Sequence, residues 1–385
     1  MKICVLFYNL GGYHLARLDA AHAACLEKGW VFSAIEVVES TAEHPWGSME
    51  RPGYVKTLMP FRDDKGLPTV GNPERLTAAL EEAQPNVLVI PGWGYDFSRQ
   101  TISWGCKNKC RLILMSESKR DDARRNFVKE KIKKHIWVKK FQAALVGGQK
   151  HVDYLIKLGM PRDKVFTGYD VVDNEFFRSG VQKAREKSSS VEQRSQSIPY
   201  NKFFLSANRF IERKNLPRLI ESFSAAINSG KMNESWDLVL LGSGTSEQAK
   251  IIEKAVAASG VAERIHLPGF VKYDQICEWY AAASAFVHPA LSEQWGLVVN
   301  EAMAAGLPIL LSNTCGCHPE LVDEGINGFS FDPADGQQLA ERLIQMANSD
   351  LKSLGEASAA KIENEFSAAS FGRGLVNAIN SLDAK

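Results

Sequence analysis

The sequence predicts an α/β protein of two domains, each built on a largely parallel sheet with helices on both faces. Short apolar runs alternate with segments of helical period, a pattern typical of βαβ units. A length of 385 residues is enough for two separate cores. The polar, serine-rich stretch at 183–197 has no apolar period and is predicted to be a linker. We therefore expect a first domain at 1–182, a linker at 183–199, a second domain at 200–365 and a terminal helix within 366–385.

Composition excludes several classes of protein. A formal net charge of +1 with 24% charged residues argues against a nucleic-acid partner and against disorder. The 7 cysteines are odd in number and scattered, which indicates a reducing compartment. Cys315-x-Cys317-His318 and Cys106-x3-Cys110 lack a second pair at zinc-finger spacing, so buried or idle thiols are favoured over metal ligands. The first apolar run is too short for a signal peptide, and no run reaches the ~20 residues of a membrane span. We expect a soluble, cytoplasmic protein.

The first domain shows six apolar runs that predict strands, at 2–7, 31–38, 86–90, 111–115, 143–146 and 164–168. Gly11 and Gly12 separate the first strand from a helix that starts at Tyr13, and glycine lets a backbone approach a ligand closely. A tight turn with no ligand explains this pattern equally well. The loops at 91–95 and 116–122 follow strand ends, where open α/β sheets bind ligands. The long stretch that ends at Glu74 is rich in Pro, Gly and charge, which usually marks a functional or mobile segment.

The second domain is organised around one strand, loop and helix. Predicted strands lie at 202–207, 237–241, 265–271, 285–287 and 308–312, and the last helices at about 335–348 and 366–383. After the strand at 285–287 a loop carries Glu293, and Gly296 opens a helix that holds Glu301.

The opening turn of that helix predicts an anion site. The backbone N–H groups of Gly296, Leu297 and Val298 lie at the positive end of a helix dipole, which suits a phosphate. Two carboxylates nearby make sense if the ligand also carries hydroxyls, because an ionised Glu only accepts hydrogen bonds. A nucleotide sugar has both features. Taken without their context, Glu301 would be a solvated helix residue and Glu293 an ordinary loop acid.

Glu293 and Glu301, with E-x-W-G-L at the first and E-A-M-A-A-G-L-P-I from the second, resemble the E-x7-E signature of retaining glycosyltransferases of family 4, the glycosyl transferases group 1. The resemblance implies the GT-B fold: two Rossmann-like domains with an interdomain cleft and a C-terminal helix that crosses back to the first domain. It also implies that Glu293 contacts the transferred sugar and that Glu301 contacts the ribose of the donor.

The same resemblance extends to two cations near the start of the second domain. Arg209 and Lys214 match the R-x4-K pair that binds the donor diphosphate. Fixed cations there would stabilise the negative charge that develops on the departing nucleoside diphosphate. Solvated surface cations are the alternative.

Other donor contacts follow from loops after two strands. The segment IHLPGFV resembles the family segment whose main chain borders the nucleobase, which implicates Gly269, Phe270 and Val271. Gly242-x-Gly244 lacks the third glycine of a dinucleotide fingerprint, which argues against NAD and leaves Gly242 as a donor-site glycine.

The acceptor side departs from the family pattern. The resemblance implies that the loop with Gly11, Gly12 and His14 faces the donor diphosphate and the acceptor. Many members carry a histidine in the loop after a later strand of the first domain, where this chain has Ser116-Glu117-Ser118. Glu117 is then a candidate to orient the acceptor, and a helix cap formed by one of the serines is the alternative. The stretch GYDVVDNEFF at 168–177 sits where the family has N-G-V-D-x-x-x-F.

Residues 119–141 contain many Lys and Arg with interleaved Phe, Ile and Trp. A basic amphipathic helix of this kind docks on anionic lipid headgroups, and family members with lipid-linked acceptors are similar here. A solvated helix that packs its apolar stripe on the sheet is the equal alternative.

We therefore expect a retaining glycosyltransferase of hexosyl type that uses a UDP- or GDP-linked sugar and a carbohydrate or lipid-linked acceptor, in cell-surface polysaccharide, glycolipid or glycoconjugate synthesis. No cofactor and no metal are expected, because Arg209, Lys214 and helix N-termini can neutralise the diphosphate and no D-x-D motif is present. A nucleotide-sugar epimerase or hydrolase would differ by converting the donor without acceptor. A non-catalytic binding protein would bind the donor without consuming it.

Overall fold

The computed structural model describes residues 1–41, 49–59, 61–62, 73–122, 125–189, 198, 202–232 and 235–382. Much of the Pro- and Gly-rich stretch before Glu74 lies outside these residues. The chain forms two compact units, one of Met1–Asp173 with Phe366–Lys385 and one of Asn174–Glu365. No helix in the described ranges is long and apolar enough to cross a membrane.

The first unit is a parallel sheet with helices between its strands. Its elements are β1 (Lys2–Phe7), α1 (Gly12–Glu27), β2 (Val31–Glu36), β3 (Ser40–Thr41), β4 (Val55–Thr57), β5 (Phe61–Arg62), α2 (Pro73–Ala83), β6 (Val87–Pro91), α3 (Asp96–Lys107), β7 (Arg111–Ser116), α4 (Phe127–Ile132), β8 (Ala143–Val146), α5 (Gln149–Lys157) and β9 (Val165–Thr167). Seven strands form a sheet in the order β4-β2-β1-β6-β7-β8-β9, while β3 pairs with β5. Every pair in these sheets is parallel.

The second unit repeats the plan. Its elements are α6 (Asn174–Ser189), β10 (Lys202–Ala207), α7 (Leu216–Asn228), β11 (Trp236–Leu241), α8 (Ser246–Ala258), β12 (Ile265–Gly269), α9 (Ile276–Ala282), β13 (Ala285–His288), α10 (Leu297–Ala304), β14 (Ile309–Ser312), β15 (Gly328–Phe331), α11 (Gly336–Ala347) and α12 (Leu351–Glu365). The parallel strands follow the order β12-β11-β10-β13-β14-β15. Both sheets are buried on both faces, which explains the nearly continuous apolar runs in the sequence.

The last helix, α13 (Ala368–Asn380), belongs to the first unit. Its apolar residues Phe371, Leu375, Ala378 and Ile379 recur at helical spacing and are buried in the core around β1. Gly372 allows α13 to lie against α1, because a Cβ atom there would come within 2.7 Å of the Ala20 carbonyl oxygen. The predicted terminal helix that returns to the first domain is confirmed.

The predicted linker is wrong over its first part. The first unit ends at Asp173, and residues 183–189 belong to α6 of the second unit. Phe177 and Val181 are four residues apart and buried, so a narrow apolar stripe fixes a helix that is otherwise polar. Within the rest of the predicted linker, the structure describes only residue 198. Helix α12 and strand β15 were not predicted.

The basic segment does not form one regular helix. Helix α4 passes into a π-helical turn at Lys133–Trp137 and a 3-10 turn at Val138–Lys140. Val138 is buried, but Ile132 and Ile136 are 45% and 49% exposed. The alternative in which the apolar stripe packs on the sheet therefore fails for these two residues. Lys119, which we counted with this segment, is buried and paired with Asp121 at 2.7 Å.

Candidate active site

The predicted catalytic residues of the second unit lie on loops that follow two neighbouring strands. Strands β10 and β13 are parallel and adjacent, so the loop with Lys214 and the loop with Glu293 leave the same edge of the sheet. Backbone bonds tie the loops together: the Leu291 N–H donates to the Arg213 carbonyl at 2.8 Å. The Asn215 side-chain amide adds a bond to the Pro289 carbonyl at 3.2 Å.

Lys214 and Glu293 form a buried ion pair at this edge. The Lys214 ammonium donates to Oε2 of Glu293, and the two residues are 9% and 8% exposed. His288, the last residue of β13, is fully buried and places Nε2 3.5 Å from the same oxygen. Burial raises the pKa of Glu293, but the His288 contact and the Lys214 charge outweigh burial and hold that pKa well below its usual range. Glu293 is therefore a carboxylate at neutral pH.

The charge of His288 follows from the same surroundings. Burial and the nearby Lys214 charge lower the pKa of the imidazole, although the Glu293 carboxylate opposes them. A neutral histidine leaves Lys214 as the cation of the cluster. An ammonium group has three N–H donors, so a bond to Glu293 leaves donors for a phosphate oxygen.

Arg209 is exposed on the same loop, just beyond β10. No ion pair engages it within the part of the chain that the structure describes. The two predicted cations thus differ in their surroundings. Lys214 is buried and paired with the Glu293 carboxylate, whereas Arg209 is exposed and open to an anion.

The turn into α10 has the predicted glycine. Gly296 is the residue before the helix and has φ of 111°, a backbone conformation that side chains disfavour. The loop before it is anchored to the next loop, because the Gly316 N–H donates to the Glu293 carbonyl at 3.1 Å. The buried Trp295 adds a bond from its ring N–H to the Asn300 side chain at 2.8 Å. Leu297 and Val298 form the first turn of α10 and are half-buried.

Glu301 lies on α10 and is held by a residue that we did not predict. The Tyr280 hydroxyl on α9 donates to Oε2 of Glu301 at 2.8 Å. Burial raises the pKa of Glu301 to about 7, and the Tyr280 bond acts in the opposite direction. The second glutamate of the motif is therefore partly protonated at neutral pH.

The remaining donor-site candidates follow β11 and β12. A Cβ atom at Gly242 would lie 1.8 Å from the Asn208 carbonyl oxygen, so this glycine lets two loops of the protein approach each other. Gly269 has φ of 92° and open space where a Cβ atom would be. Phe270 is 69% exposed and Val271 is half-buried.

In the first unit, Gly11 immediately precedes α1, and Gly12 is its first residue. Nδ1 of His14 accepts a hydrogen bond from the Gly11 N–H at 3.0 Å, which closes the loop on itself. The same arrangement recurs before α5, where Nδ1 of His151 accepts from the Gly148 N–H at 3.1 Å. His14 therefore has a capping role in this structure.

Glu117 joins a buried charge cluster beyond β7 and β9. Its charge acts on Asp170, which is 1% exposed. Burial and the Glu117 charge raise the pKa of Asp170 well above its usual range, while Arg17 opposes them from 3.8 Å. Arg17 is fully buried between the Tyr13 and Tyr169 rings. Ser116 accepts from the Ser118 N–H at 3.2 Å in a local turn, so neither serine caps a helix through this bond.

His288, Tyr280, Asp170 and Arg17 were missed as site residues. His288 is the end of the strand that precedes the Glu293 loop, a position that could have marked it. Tyr280 and Arg17 face inward from helices, and their spacing resembles that of core residues.

All 7 cysteines are free, and Cys315 and Cys317 are buried. No group of three or more His, Cys, Asp or Glu side chains is arranged to hold a metal within the described ranges.

Comparison with known proteins identifies the second unit. Residues 190–364 match the sequence profile of the family described as Glycosyl transferases group 1. The chain is 36% identical over 115 residues to D-inositol 3-phosphate glycosyltransferase of Streptomyces scabiei, a match that covers 29% of this chain and 26% of that protein. It is 26% identical over 220 residues to amylovoran biosynthesis glycosyltransferase AmsK of Erwinia amylovora, which covers 55% of this chain and 49% of that protein. The matches thus span less than half of these curated relatives.

Solved structures match along the whole chain. Anabaena Alr3699/HepE in complex with UDP superposes with a TM-score of 0.71 at 15% identity, covering 99% of this chain and 100% of that one. Sucrose-phosphate synthase from Thermosynechococcus elongatus gives a TM-score of 0.73 at 16% identity, with 100% of both chains covered. This chain therefore has the GT-B fold, and residues 190–364 form a glycosyl transferases group 1 domain.

Proposed function

We propose that this protein is a retaining glycosyltransferase that moves a sugar, of hexose type, from a UDP- or GDP-linked donor to an acceptor hydroxyl. The buried Lys214–Glu293 pair inside the glycosyl transferases group 1 domain carries the proposal. A nucleotide sugar presents a phosphate beside a polyhydroxylated ring. The ammonium suits the first of these, and the carboxylate suits the second.

We assign the individual residues the roles that the family resemblance implies. Glu293 is ionised and accepts hydrogen bonds from hydroxyls of the transferred sugar. Lys214 and the exposed Arg209 bind the diphosphate and stabilise its negative charge as the glycosidic bond breaks. Glu301 accepts from the ribose, while Gly269, Phe270 and Val271 border the base. The first unit, with Glu117 at the end of β7, holds the acceptor.

We infer that the reaction needs no metal, because two cations and the N-terminus of α10 are available to the diphosphate. Retention then takes one of two routes. In one, the departing phosphate accepts the proton of the attacking hydroxyl on the same face of the sugar. In the other, an enzyme carboxylate displaces the phosphate first. Glu293 is tied to Lys214 and His288, which favours the first route.

The setting we propose is the synthesis of a surface polysaccharide, glycolipid or glycoconjugate. Two similar proteins support this, the amylovoran biosynthesis glycosyltransferase and the lipopolysaccharide outer core galactosyltransferase WaaB, the latter with a TM-score of 0.65 at 15% identity.

A peripheral membrane contact through residues 119–141 belongs to the same proposal. Val128, Ile132 and Ile136 recur at intervals of four residues and are 62%, 45% and 49% exposed. Exposed lysines flank them at 131, 134 and 139. Apolar side chains beside basic ones suit an anionic lipid surface, and this would hold the protein at the inner face of the membrane.

Vesicle flotation tests the membrane contact. Wild type should float with phosphatidylcholine vesicles that contain phosphatidylglycerol and remain behind with phosphatidylcholine alone. An Ile132→Ser/Ile136→Ser variant should lose flotation, while Ile251→Ser, at an exposed isoleucine of the second unit, should keep it. Equal flotation of all three would refute the contact.

Thermal stabilisation by nucleotides tests the donor site. UDP, GDP and their sugars are added with and without Mg²⁺, and a ligand at a hundred times its Kd should add ~2.7 kcal/mol. We expect a metal-independent shift with one base. Lys214→Ala and Arg209→Ala should reduce it, while Arg213→Ala, an exposed cation on the same loop, should not.

Product analysis with the stabilising donor then separates the alternatives. A transferase forms a new glycoside only when acceptor is present, whereas an epimerase or hydrolase converts the donor alone. A binding protein leaves the donor intact. Near-normal transfer by an Arg209→Ala/Lys214→Ala variant would overturn the proposed roles.

A further inference from the structure

Tyr280 is built into the second unit in a way that fixes the Glu301 carboxyl. The tyrosine is fully buried. Its ring packs edge-on against Phe177 with centroids 6.0 Å apart and lies 6.1 Å from the Phe286 ring. Aromatic packing holds the ring, so the hydroxyl has little freedom and its bond to Oε2 of Glu301 at 2.8 Å sets the direction of the carboxyl.

The titratable groups that α9 brings to Glu301 are Tyr280 and Cys277. Burial and the Glu301 charge raise the pKa of Tyr280 well above its usual range, so the hydroxyl stays protonated and donates. Burial, followed by the Glu301 and Glu278 charges, raises the pKa of Cys277 to about 11, so the thiol is neutral. Glu301 therefore has a neutral donor as its partner on this side. Helices α6 and α12 also pack on α10, and no ion pair within the described residues reaches Glu301 from them. Its charge therefore depends on the balance between burial and the Tyr280 bond.

We propose that Tyr280 is a positioning residue that holds Glu301 ready to accept hydrogen bonds from the ribose hydroxyls of the donor, and that protonation of Glu301 weakens nucleotide binding as the pH falls. This inference rests on the proposed function. It adds a residue outside the E-x7-E motif and a dependence of donor affinity on pH.

The expected size of the effect follows from the fraction of Glu301 that is ionised. If only the ionised form accepts from the ribose, the apparent Kd rises as that fraction falls. Half-ionisation near pH 7 makes the fraction fall about tenfold between pH 8 and pH 6. The Tyr280 bond lowers the pKa of Glu301, so its loss should raise that pKa. In Tyr280→Phe, the ionisation of Glu301 should therefore occur at higher pH.

Calorimetric titration with two pairs of nucleotides isolates the ribose contact. UDP is compared with 2′,3′-dideoxy-UDP, and GDP with 2′,3′-dideoxy-GDP, at several values between pH 6 and pH 8. The diphosphate of each nucleotide also gains a proton in this range. Because the dideoxy compound has the same diphosphate, the ratio of the two Kd values removes that contribution.

In wild type the ratio of dideoxy Kd to ribose Kd should grow about tenfold from pH 6 to pH 8. Tyr280→Phe should reach that growth only at higher pH, and Glu301→Gln should give a ratio that is constant with pH. Tyr273→Phe, which removes a hydroxyl from the same aromatic cluster, should behave as wild type. If Tyr280→Phe does not fold, wild type and Glu301→Gln still decide whether Glu301 titrates against the ribose.

A ratio that is constant with pH in wild type would overturn the inference, as would a Tyr280→Phe profile that coincides with wild type. These outcomes leave the proposed function intact, because UDP or GDP still binds. Failure of both nucleotides to bind at every pH would instead refute the proposed donor site and, with it, this inference.

Discussion

The two residues of the Lys214–Glu293 pair should depend on each other for the stability of the second unit, and a double-mutant cycle measures this coupling. The variants are Lys214→Met, Glu293→Gln and the combination. Both partners are buried. Removal of one partner of a buried pair leaves an uncompensated charge and typically costs about 3–5 kcal/mol, whereas neutral residues in place of both often cost little.

Proton uptake by Glu293 sets an upper limit on how much less stable Lys214→Met is than the double variant, in which both residues are neutral. Without its cation the buried carboxylate can take up a proton instead of staying charged. At pH 7 this costs about 3.7 kcal/mol, since neutral pH lies about 2.7 units above the ordinary Glu pKa at about 1.36 kcal/mol per unit. At pH 5 the same step costs only about 1 kcal/mol.

The lowered pKa of Glu293 in the wild type leads to the same dependence on pH. The folded-state pKa of Glu293 is lowered, so the pair contributes stability above the unfolded-state pKa and loses it as the pH falls. The difference between wild type and Lys214→Met should therefore be largest at neutral pH and shrink on acidification.

Calorimetric melting of the full chain at pH 7 and pH 5 measures this difference in stability. A cost of about 3–4 kcal/mol should lower the Tm of a unit of this size by roughly 6–16 °C at pH 7. The double variant should melt near wild type. An equal loss at both pH values, or a double variant as unstable as Lys214→Met, would refute the reasoning. Turnover of the single variants must then be compared at temperatures where each remains folded.

Three further predictions concern other residues. Glu301→Gln should gain stability relative to wild type as the pH rises from 5 to 8, because the pKa of Glu301 is raised to about 7 and only wild type must ionise this half-buried carboxyl; a difference in Tm that is constant with pH would contradict this. Gly242→Ala should lower the Tm strongly, since its Cβ would meet the Asn208 carbonyl oxygen at 1.8 Å, and a Tm within a degree or two of wild type would be unexpected. Asp170→Asn should melt well above Asp170→Ala at pH 7, because an amide replaces a protonated carboxyl closely, and equal Tm values would contradict a raised pKa at Asp170.

The strands and the glutamate motif could be predicted because each is a local pattern. Strands that are buried on both faces in a parallel sheet need apolar residues on both sides, so β1, β6 and β10 stand out as continuous runs. Glu293 and Glu301 are eight positions apart with a glycine turn between them, and this geometry is contained in one short segment. The terminal helix was also predictable, since Phe371, Leu375, Ala378 and Ile379 mark one face.

The parts that could not be predicted depend on sparse or distant contacts. Helix α6 buries Phe177 and Val181 in a polar sequence, so its composition resembled a linker. The exposure of Ile132 and Ile136 depends on how the helix changes to a π-helical turn at Lys133, and no local residue marks that change. Tyr280 has the spacing of an ordinary core residue, and only the packing of α9 shows that its hydroxyl reaches Glu301.

The pairing of Lys214 with Glu293 shows most clearly why the whole fold is needed. The two residues are 79 positions apart and meet because β13 lies beside β10 in the sheet, although β11 and β12 separate these two strands in the sequence. The motif alone suggests a cation for phosphate and a carboxylate for sugar that act separately. In the folded chain each neutralises the other, so the site is stable without its ligand. If the proposed function is right, a donor phosphate at Lys214 would add negative charge to a balanced pair, and the exposed Arg209 would supply the positive charge that compensates for it. On this reasoning Arg209→Ala should weaken diphosphate binding with little effect on the Tm of the free protein. Lys214→Ala should lower both, and equal loss of Tm in the two variants would refute this division.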